Sequence, residues 1–152
     1  MIVRNCAGGV VFHGHKVFIL KNDKDEWVLP KGKIRNGFLP TETALERVEC
    51  ESGIVDAEII STAGETNYEF FSYSRQQPVF NVIIWYIMEC NDEKFMINKE
   101  EGFTGGGFFD IDEAVEKITY SQDKSLVRLS YKKYLKLKEF PIGDIEKEEV
   151  LV

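Results

Sequence analysis

One helix-like segment stands among strand-like ones, and that arrangement restricts the chain to few folds. Pro40 suits the first turn of a helix, Ala44, Leu45 and Val48 share one side of Thr41–Ser52, and Gly53 supplies the residue a helix needs just past its end. On either side the chain alternates. Ala7–Phe12 and Lys16–Lys21 read as strands joined by a turn at His13-Gly14-His15, and Trp27-Val28-Leu29 as a brief strand stopped by Pro30 and Gly32. Gly32–Leu39 reads as a glycine-punctuated loop. Alternation returns at Ala57–Thr62, Tyr68–Tyr73 and Val79–Glu89, with a turn near Gln76-Gln77-Pro78. The aromatic set Tyr68, Phe70, Phe71 and Tyr73 is expected mostly in the core. Gly105-Gly106-Gly107 lacks the lysine and hydroxyl of a phosphate loop and reads as a bulge or turn. Asp110 or Asp112 can cap a helix through Ile118, and Val127, Tyr131, Tyr134 and Leu135 recur at helical spacing within Lys124–Lys138. The order predicts a layered α/β or α+β domain.

At 152 residues one domain is expected, with 1–138 as its body and 139–152 as an acidic tail. The net charge of −7 is unevenly spread, because Glu139, Asp144, Glu146, Glu148 and Glu149 against Lys147 leave the tail at −4 and the body near −3. No basic stripe appears, which disfavours nucleic acid as a partner. The longest apolar stretch, Val79–Met88, is broken by Asn81 and too short to span a membrane, and the N-terminus carries no cleavable signal pattern. Cys6, Cys50 and Cys90 are odd in number and widely spaced, which points to a reducing, cytoplasmic setting.

The segment Gly32–Ile54, GKIRNGFLPTETALERVECESGI, resembles the signature box of the Nudix (MutT-like) hydrolases, G-x5-E-x7-R-E-U-x-E-E-x-G-U with U aliphatic. Gly32, Val48, Glu51, Gly53 and Ile54 occupy their expected places without a gap, and Trp27-x-Leu29-Pro30-Lys31-Gly32 and Phe109-x-x-x-Glu113-Ala114 match the flanking stretches. The resemblance implies an αβα sandwich around a mixed β-sheet. It also implies Mg²⁺- or Mn²⁺-dependent attack of water on the diphosphate bridge of a nucleotide-like small molecule. A homodimer stays open.

Four box positions depart from the pattern: Phe38 and Arg47 stand in place of glutamates, Glu46 in place of the arginine, and Cys50 in place of the first paired glutamate. With the arginine and the first glutamate of the pattern replaced together by Glu46 and Phe38, neither former partner is left as an unpaired buried charge, and Phe38 is expected to pack. Glu51 is the surviving metal ligand the resemblance implies, with Glu100 or Glu101 as a late acidic ligand; Glu49 lies about 200° around the helix from Glu51. Residues four apart share a helix face, so Arg47 and Glu51 are suited to pair with each other. Arg47 then stands in for the cation and offers donors to a phosphate. Lys31, Lys33 and Arg35 surround the box loop and either meet a diphosphate or form an ordinary basic loop. His13 and His15 read as a surface turn, and Cys50, at a helix C-terminus that raises thiol pKa, as a packed residue. Three functions follow: a weak pyrophosphohydrolase, a non-catalytic nucleotide- or partner-binding module, or a purely structural domain.

Overall fold

The architecture turns on β1 (Ile2–His13), which has neighbours on both sides and changes one of them midway. In the computed structural model, which describes residues 1–139, β1 pairs with β2 (Lys16–Asn22) only beside the hairpin turn, at Phe12↔Val17 and His13↔Lys16. Farther back, at Cys6–Gly8, it pairs with β4 (Lys31–Lys33). Its other edge runs parallel to β6 (Gln77–Glu89) from Ile2↔Val79 to Phe12↔Glu89, and β6 pairs antiparallel with β5 (Glu58–Ser72). β3 (Trp27–Val28) and β7 (Phe103–Asp110) flank β2. The result is a curled mixed sheet of seven strands. The acidic tail expected at 139–152 lies, beyond Glu139, outside the described residues.

Alternation along β1 and β6 divides the core into two layers. Cys6, Val10, Phe12, Ile83, Trp85 and Ile87 face α2 (Ile111–Lys117) and α3 (Ser121–Glu139) through Ala114, Val115, Leu126, Val127 and Tyr134. Ala7, Val11 and Met88 face α1 (Pro40–Ser52) through Ala44 and Val48. Helices therefore cover both faces, as the expected αβα sandwich requires. Leu45 departs from the expected apolar side of α1 and is 37% exposed. No helix among the described residues is long and apolar enough to cross a membrane.

Where β1 changes neighbours, bulk is excluded. A Cβ on Gly8 would lie 2.4 Å from the Pro30 carbonyl oxygen and 2.6 Å from the Trp85 ring. The Gly9 N–H donates to that same Pro30 carbonyl at 3.1 Å, so the oxygen is fixed and cannot yield. Gly8→Ala is expected to lower stability by about 1–3 kcal/mol through overpacking. A denaturant midpoint unchanged from the parent would contradict this.

Four expectations need correction. The loop at 32–39 begins as strand β4, because the Cys6–Gly8 edge that β2 leaves open accepts it. Ala57–Thr62 and Tyr68–Tyr73 belong to one strand, β5, whose register shifts between Ile59 and Ser61 and between Thr62 and Gly64. The extra residues, Ile60 and Ala63, pack on the core and break the two-residue period. Gly105–Gly107 lie inside β7 rather than in a turn, with the bulge falling at Thr104 just before them, and a Cβ on Gly106 would meet Ile97 at 2.6 Å and the Ile19 carbonyl at 2.9 Å. Finally, Tyr68, Phe70, Phe71 and Tyr73 are 38% to 80% exposed rather than core, since the β5–β6 hairpin runs past the helices that cover the sheet.

Candidate functional site

The end of α1 decides what stands beside Glu51. Pro40 begins the helix and the Leu39 N–H donates to the Glu42 carboxylate at 3.3 Å. Gly53, in the left-handed region at φ 72°, ends it and donates its N–H to the Glu49 carbonyl at 2.9 Å. A helix leaves its last carbonyls without partners. Here the Met96 N–H reaches the Ser52 carbonyl at 2.7 Å and the Asn98 N–H reaches the Glu51 carbonyl at 3.2 Å. The Asn98 side chain adds an Nδ2 donor to the Cys50 carbonyl at 2.8 Å, and its Oδ1 accepts the Glu100 N–H at 3.1 Å. These bonds draw the following 3-10 turn, Lys99–Glu101, over the helix face.

On that face three charges meet. Arg47 Nε donates to Glu51 Oε2 at 3.1 Å, and Arg47 Nη2 donates both to Glu51 Oε2 at 2.8 Å and to Glu101 Oε2 at 3.1 Å. The guanidinium can lie flat there only because residue 32 is glycine: a Cβ would come within 2.6 Å of Arg47 Cδ and Nε. Glu51 is 3% exposed. Burial lifts its carboxyl most, while Arg47 and the Lys31 charge and N–H pull it back, leaving its pKa near about 7. Burial works to lower Arg47, but bonds to Glu51 and Glu101 hold it above its usual range. The Cys50 thiol is also pushed up, first by burial, which suits a packed residue better than a nucleophile.

A divalent cation does not fit this arrangement. Arg47 Nη2 bridges the two carboxylates that would have to grip it, and no group of three His, Cys, Asp or Glu able to hold a metal occurs among the described residues. Glu100, the other expected acidic ligand, is exposed, and its carboxylate takes part in none of these bonds. Gly32, Lys33, Arg35, Thr43, Glu46 and Arg47 line a cleft of about 160 Å³ beside it. Of the three expected phosphate contacts, Lys33 and Arg35 thus share a cleft with Arg47. Lys31 does not line that cleft; half-buried and paired with Gly8, it lies beside Glu51, whose carboxylate its N–H and charge stabilise. Phe38 is 46% exposed and does not pack as expected; the loop carries it outward after β4 ends. Asn98 went unnoticed in the sequence, although an Asn three residues before Glu101 and four before Gly102 is a capping signal for a short turn.

A model of the NUDIX domain matches residues 1–129. Among solved structures, the chain is similar to a C. elegans Ap4A hydrolase in a binary complex, with TM-score 0.69 and 15% identity over 88% of this chain and 98% of that one. It is also similar to the E. coli dihydroneopterin triphosphate pyrophosphohydrolase, with TM-score 0.66 and 14% identity over 84% and 95% of the two chains. For a MutT protein from Bacillus halodurans the TM-score is 0.58, with 18% identity over 82% and 80%. At these identities the likeness is one of fold.

Proposed function

This chain belongs to the Nudix hydrolase family, and from that premise we propose that it binds the diphosphate of a nucleotide-like small molecule through Arg47, Lys33 and Arg35, without a divalent cation and with weak or no turnover. The observation that carries the reading is the guanidinium itself. Arg47 Nη2 sits 2.8 Å and 3.1 Å from two carboxylates, so the positive charge a metal would bring to this place is already built into the chain. Arg47 Nε and Nη2 are taken by the carboxylates, but Nη1, with only a 3.9 Å contact to Cys50 Sγ, keeps donors for a phosphate, and Lys33 and Arg35 add charge from the same cleft. Two of the similar structures are named for polyphosphate compounds, Ap4A and dihydroneopterin triphosphate, which supports the ligand class.

Binding and turnover part company on physical grounds. Holding a phosphate needs donors and charge, both of which the cleft supplies. Cleaving a diphosphate also needs a nucleophile activated and the developing charge stabilised where it forms. Glu51 has a pKa suited to accepting a proton near neutrality, yet its Oε2 is committed to two Arg47 donors. The same carboxylate cannot serve both tasks. Turnover of any nucleoside diphosphate derivative is therefore expected to be weak or undetectable.

Calorimetric titration with ADP-ribose, a dinucleoside polyphosphate and a nucleoside triphosphate, each with millimolar Mg²⁺ and with EDTA, tests the proposal. Affinities are expected to be nearly the same in both conditions and to fall in Arg47→Met. Brisk Mg²⁺-dependent hydrolysis abolished by Glu51→Gln would overturn it and restore an ordinary hydrolase. Absence of binding for every compound would leave a structural domain.

A further inference from the structure

The second half of β5 presents an open sheet edge that the first half does not. β5 is the outermost strand beside β6, and among the described residues no strand pairs with its far side. α3 closes the early part of that side. Lys133 Nζ donates to the Thr62 carbonyl at 2.9 Å, and the Gln122 side chain bonds both backbone groups of Asn67, its Nε2 donating to the carbonyl at 2.7 Å and its Oε1 accepting the N–H at 3.1 Å. That amide takes the place of a neighbouring strand, so the Asn67 N–H and C=O point away from β6. Backbone groups alternate in direction along a strand, and no register shift follows Gly64. The N–H and C=O of Glu69 and Phe71 therefore point outward as well. Phe71 lies opposite Pro78, which has no N–H to give, and a proline fits there because that pair exchanges no bonds. Among the described residues no turn or loop backbone bonds Glu69 or Phe71. Every residue from 67 to 71 is exposed, so both faces of the strand are bare here as well as its edge.

We propose that this edge joins a second copy of the chain, β5 against β5 in antiparallel, about a two-fold axis at Phe70. The open positions select both the occupant and the register. With the axis at Phe70, Glu69 of each copy faces Phe71 of the other, and every open N–H at these positions meets an open C=O. An axis at Glu69 would set like charges directly opposite and run Phe71 against Asn67, which Gln122 already holds. An axis at Phe71 would leave Glu69 facing Tyr73, beyond the end of β5. The charges agree with the first register. Glu65 and Arg75 stand equally far outside the Glu69–Phe71 pair, so antiparallel pairing carries the Glu65 end of one copy toward the Arg75 end of the other. Both residues are exposed, and neither has an ionic partner among the described residues.

Edges with apolar flanks are ordinarily suppressed by charge, proline or a bulge. β5 carries such devices only as far as Asn67: its two register shifts and the two α3 side chains. From there to Ser72 its one charge is Glu69. A two-fold pair satisfies the whole open stretch at once, because one segment supplies both halves of the interface. Backbone bonds along an edge give affinity, and the flanking side chains give selectivity. Phe70 of one copy would lie beside Phe70 of the other, since residues opposite at a position without hydrogen bonds bring their Cα atoms to about 4.5 Å. Tyr68, with its ring centroid 6.0 Å from that of Phe70, extends the aromatic contact on the same face.

Sedimentation of the full chain over a concentration series, with hydrogen exchange read at single amides, tests the pairing. The parent is expected to pass from one chain to two as concentration rises, and exchange at the Glu69 and Phe71 N–H groups to slow in step. Phe71→Pro removes an outward donor that the β5–β6 ladder does not use, and should stay a single chain with an unfolding midpoint close to the parent's. Phe70→Glu sets two like charges face to face at the axis and should also stay single, with the backbone untouched. Glu65→Arg and Arg75→Glu should each weaken association several-fold, and the two together should recover most of the loss. A parent that stays single at every concentration would leave the edge to an extended segment of another protein and overturn the proposal. So would a dimer that survives Phe71→Pro and Phe70→Glu, or one whose Glu69 and Phe71 amides exchange as fast as in the single chain. A double charge exchange that recovers nothing would overturn the register, and with it the pairing.

Discussion

Arg47→Met is expected to cost about 3–5 kcal/mol of stability at pH 8, where it strands a buried carboxylate without its partner, and much less at pH 5. The difference comes from Glu51. Its folded pKa near about 7 lies above the unfolded value of roughly 4.3 for a glutamate. The folded protein thus holds more protons than the unfolded chain between those two values, and stability falls as pH rises through that window. At pH 5, inside that window, Glu51 is neutral in the folded protein, so Arg47 has no charge to compensate there and its loss removes only hydrogen bonds and packing. Above about 7 Glu51 is ionised, 3% exposed, and dependent on Arg47. Methionine keeps most of the aliphatic stem that lies against Gly32, so the loss is largely electrostatic. Urea unfolding of the parent, Arg47→Met, Glu51→Gln and the double variant at both pH values isolates the coupling. In the Glu51→Gln background the cost of Arg47→Met should no longer depend on pH. A cost equal at pH 5 and pH 8 in the parent background would mean that Glu51 is not the group Arg47 neutralises.

The layered fold was legible because its signals are local. Pro40 and Gly53 bracket α1 by backbone conformation, and the turn at Gly14, at φ 59°, joins β1 to β2 where the residue types indicate it. The pairing of Arg47 with Glu51 was legible for the same reason, since a four-residue step on a helix decides which side chains meet. What could not be read depends on parts distant in sequence. Glu101 rather than Glu100 joins the cluster because Met96 and Asn98 cap α1, and no local pattern reveals which carbonyls a loop will reach. Strand β4 is three residues long and exists because β1 leaves an edge open. The aromatic hairpin alternates as core strands do, but burial depends on whether a helix lies above it, and at Tyr68–Tyr73 none does. Ile60 and Ala63 hid the continuity of β5 by shifting its period at two bulges.

Rebuilding the acidic cluster should turn the sign of the metal response. Positions 47, 50, 51 and 101 already converge: Arg47 Nη2 lies 3.1 Å from Glu101 Oε2, Cys50 Sγ lies 3.8 Å from Glu101 Oε1, and Arg47 holds Glu51. Arg47→Glu with Cys50→Glu would place four carboxylates around one point, removing the internal cation and offering hard oxygen ligands in its place. Glu46→Arg belongs in the same variant. Residue 46 lines the adjacent cleft and is exposed, so an arginine there offsets the added negative charge without being buried. Without metal the triple variant is expected to be less stable than the parent, because like charges at this distance repel and raise one another's pKa. With Mg²⁺ or Mn²⁺ at about a hundred times the dissociation constant, linkage returns about 2.7 kcal/mol. For a chain of this size that is on the order of 5–10 °C in melting temperature. The parent, whose carboxylates are already neutralised by Arg47, should shift little. An equal shift in parent and variant would show that Arg47 yields to a metal and that the native site still takes one. No shift in either would place the loss of metal binding outside the box helix, in the β4 backbone or the turn that carries Glu101, and would leave binding without turnover as the function this scaffold retains.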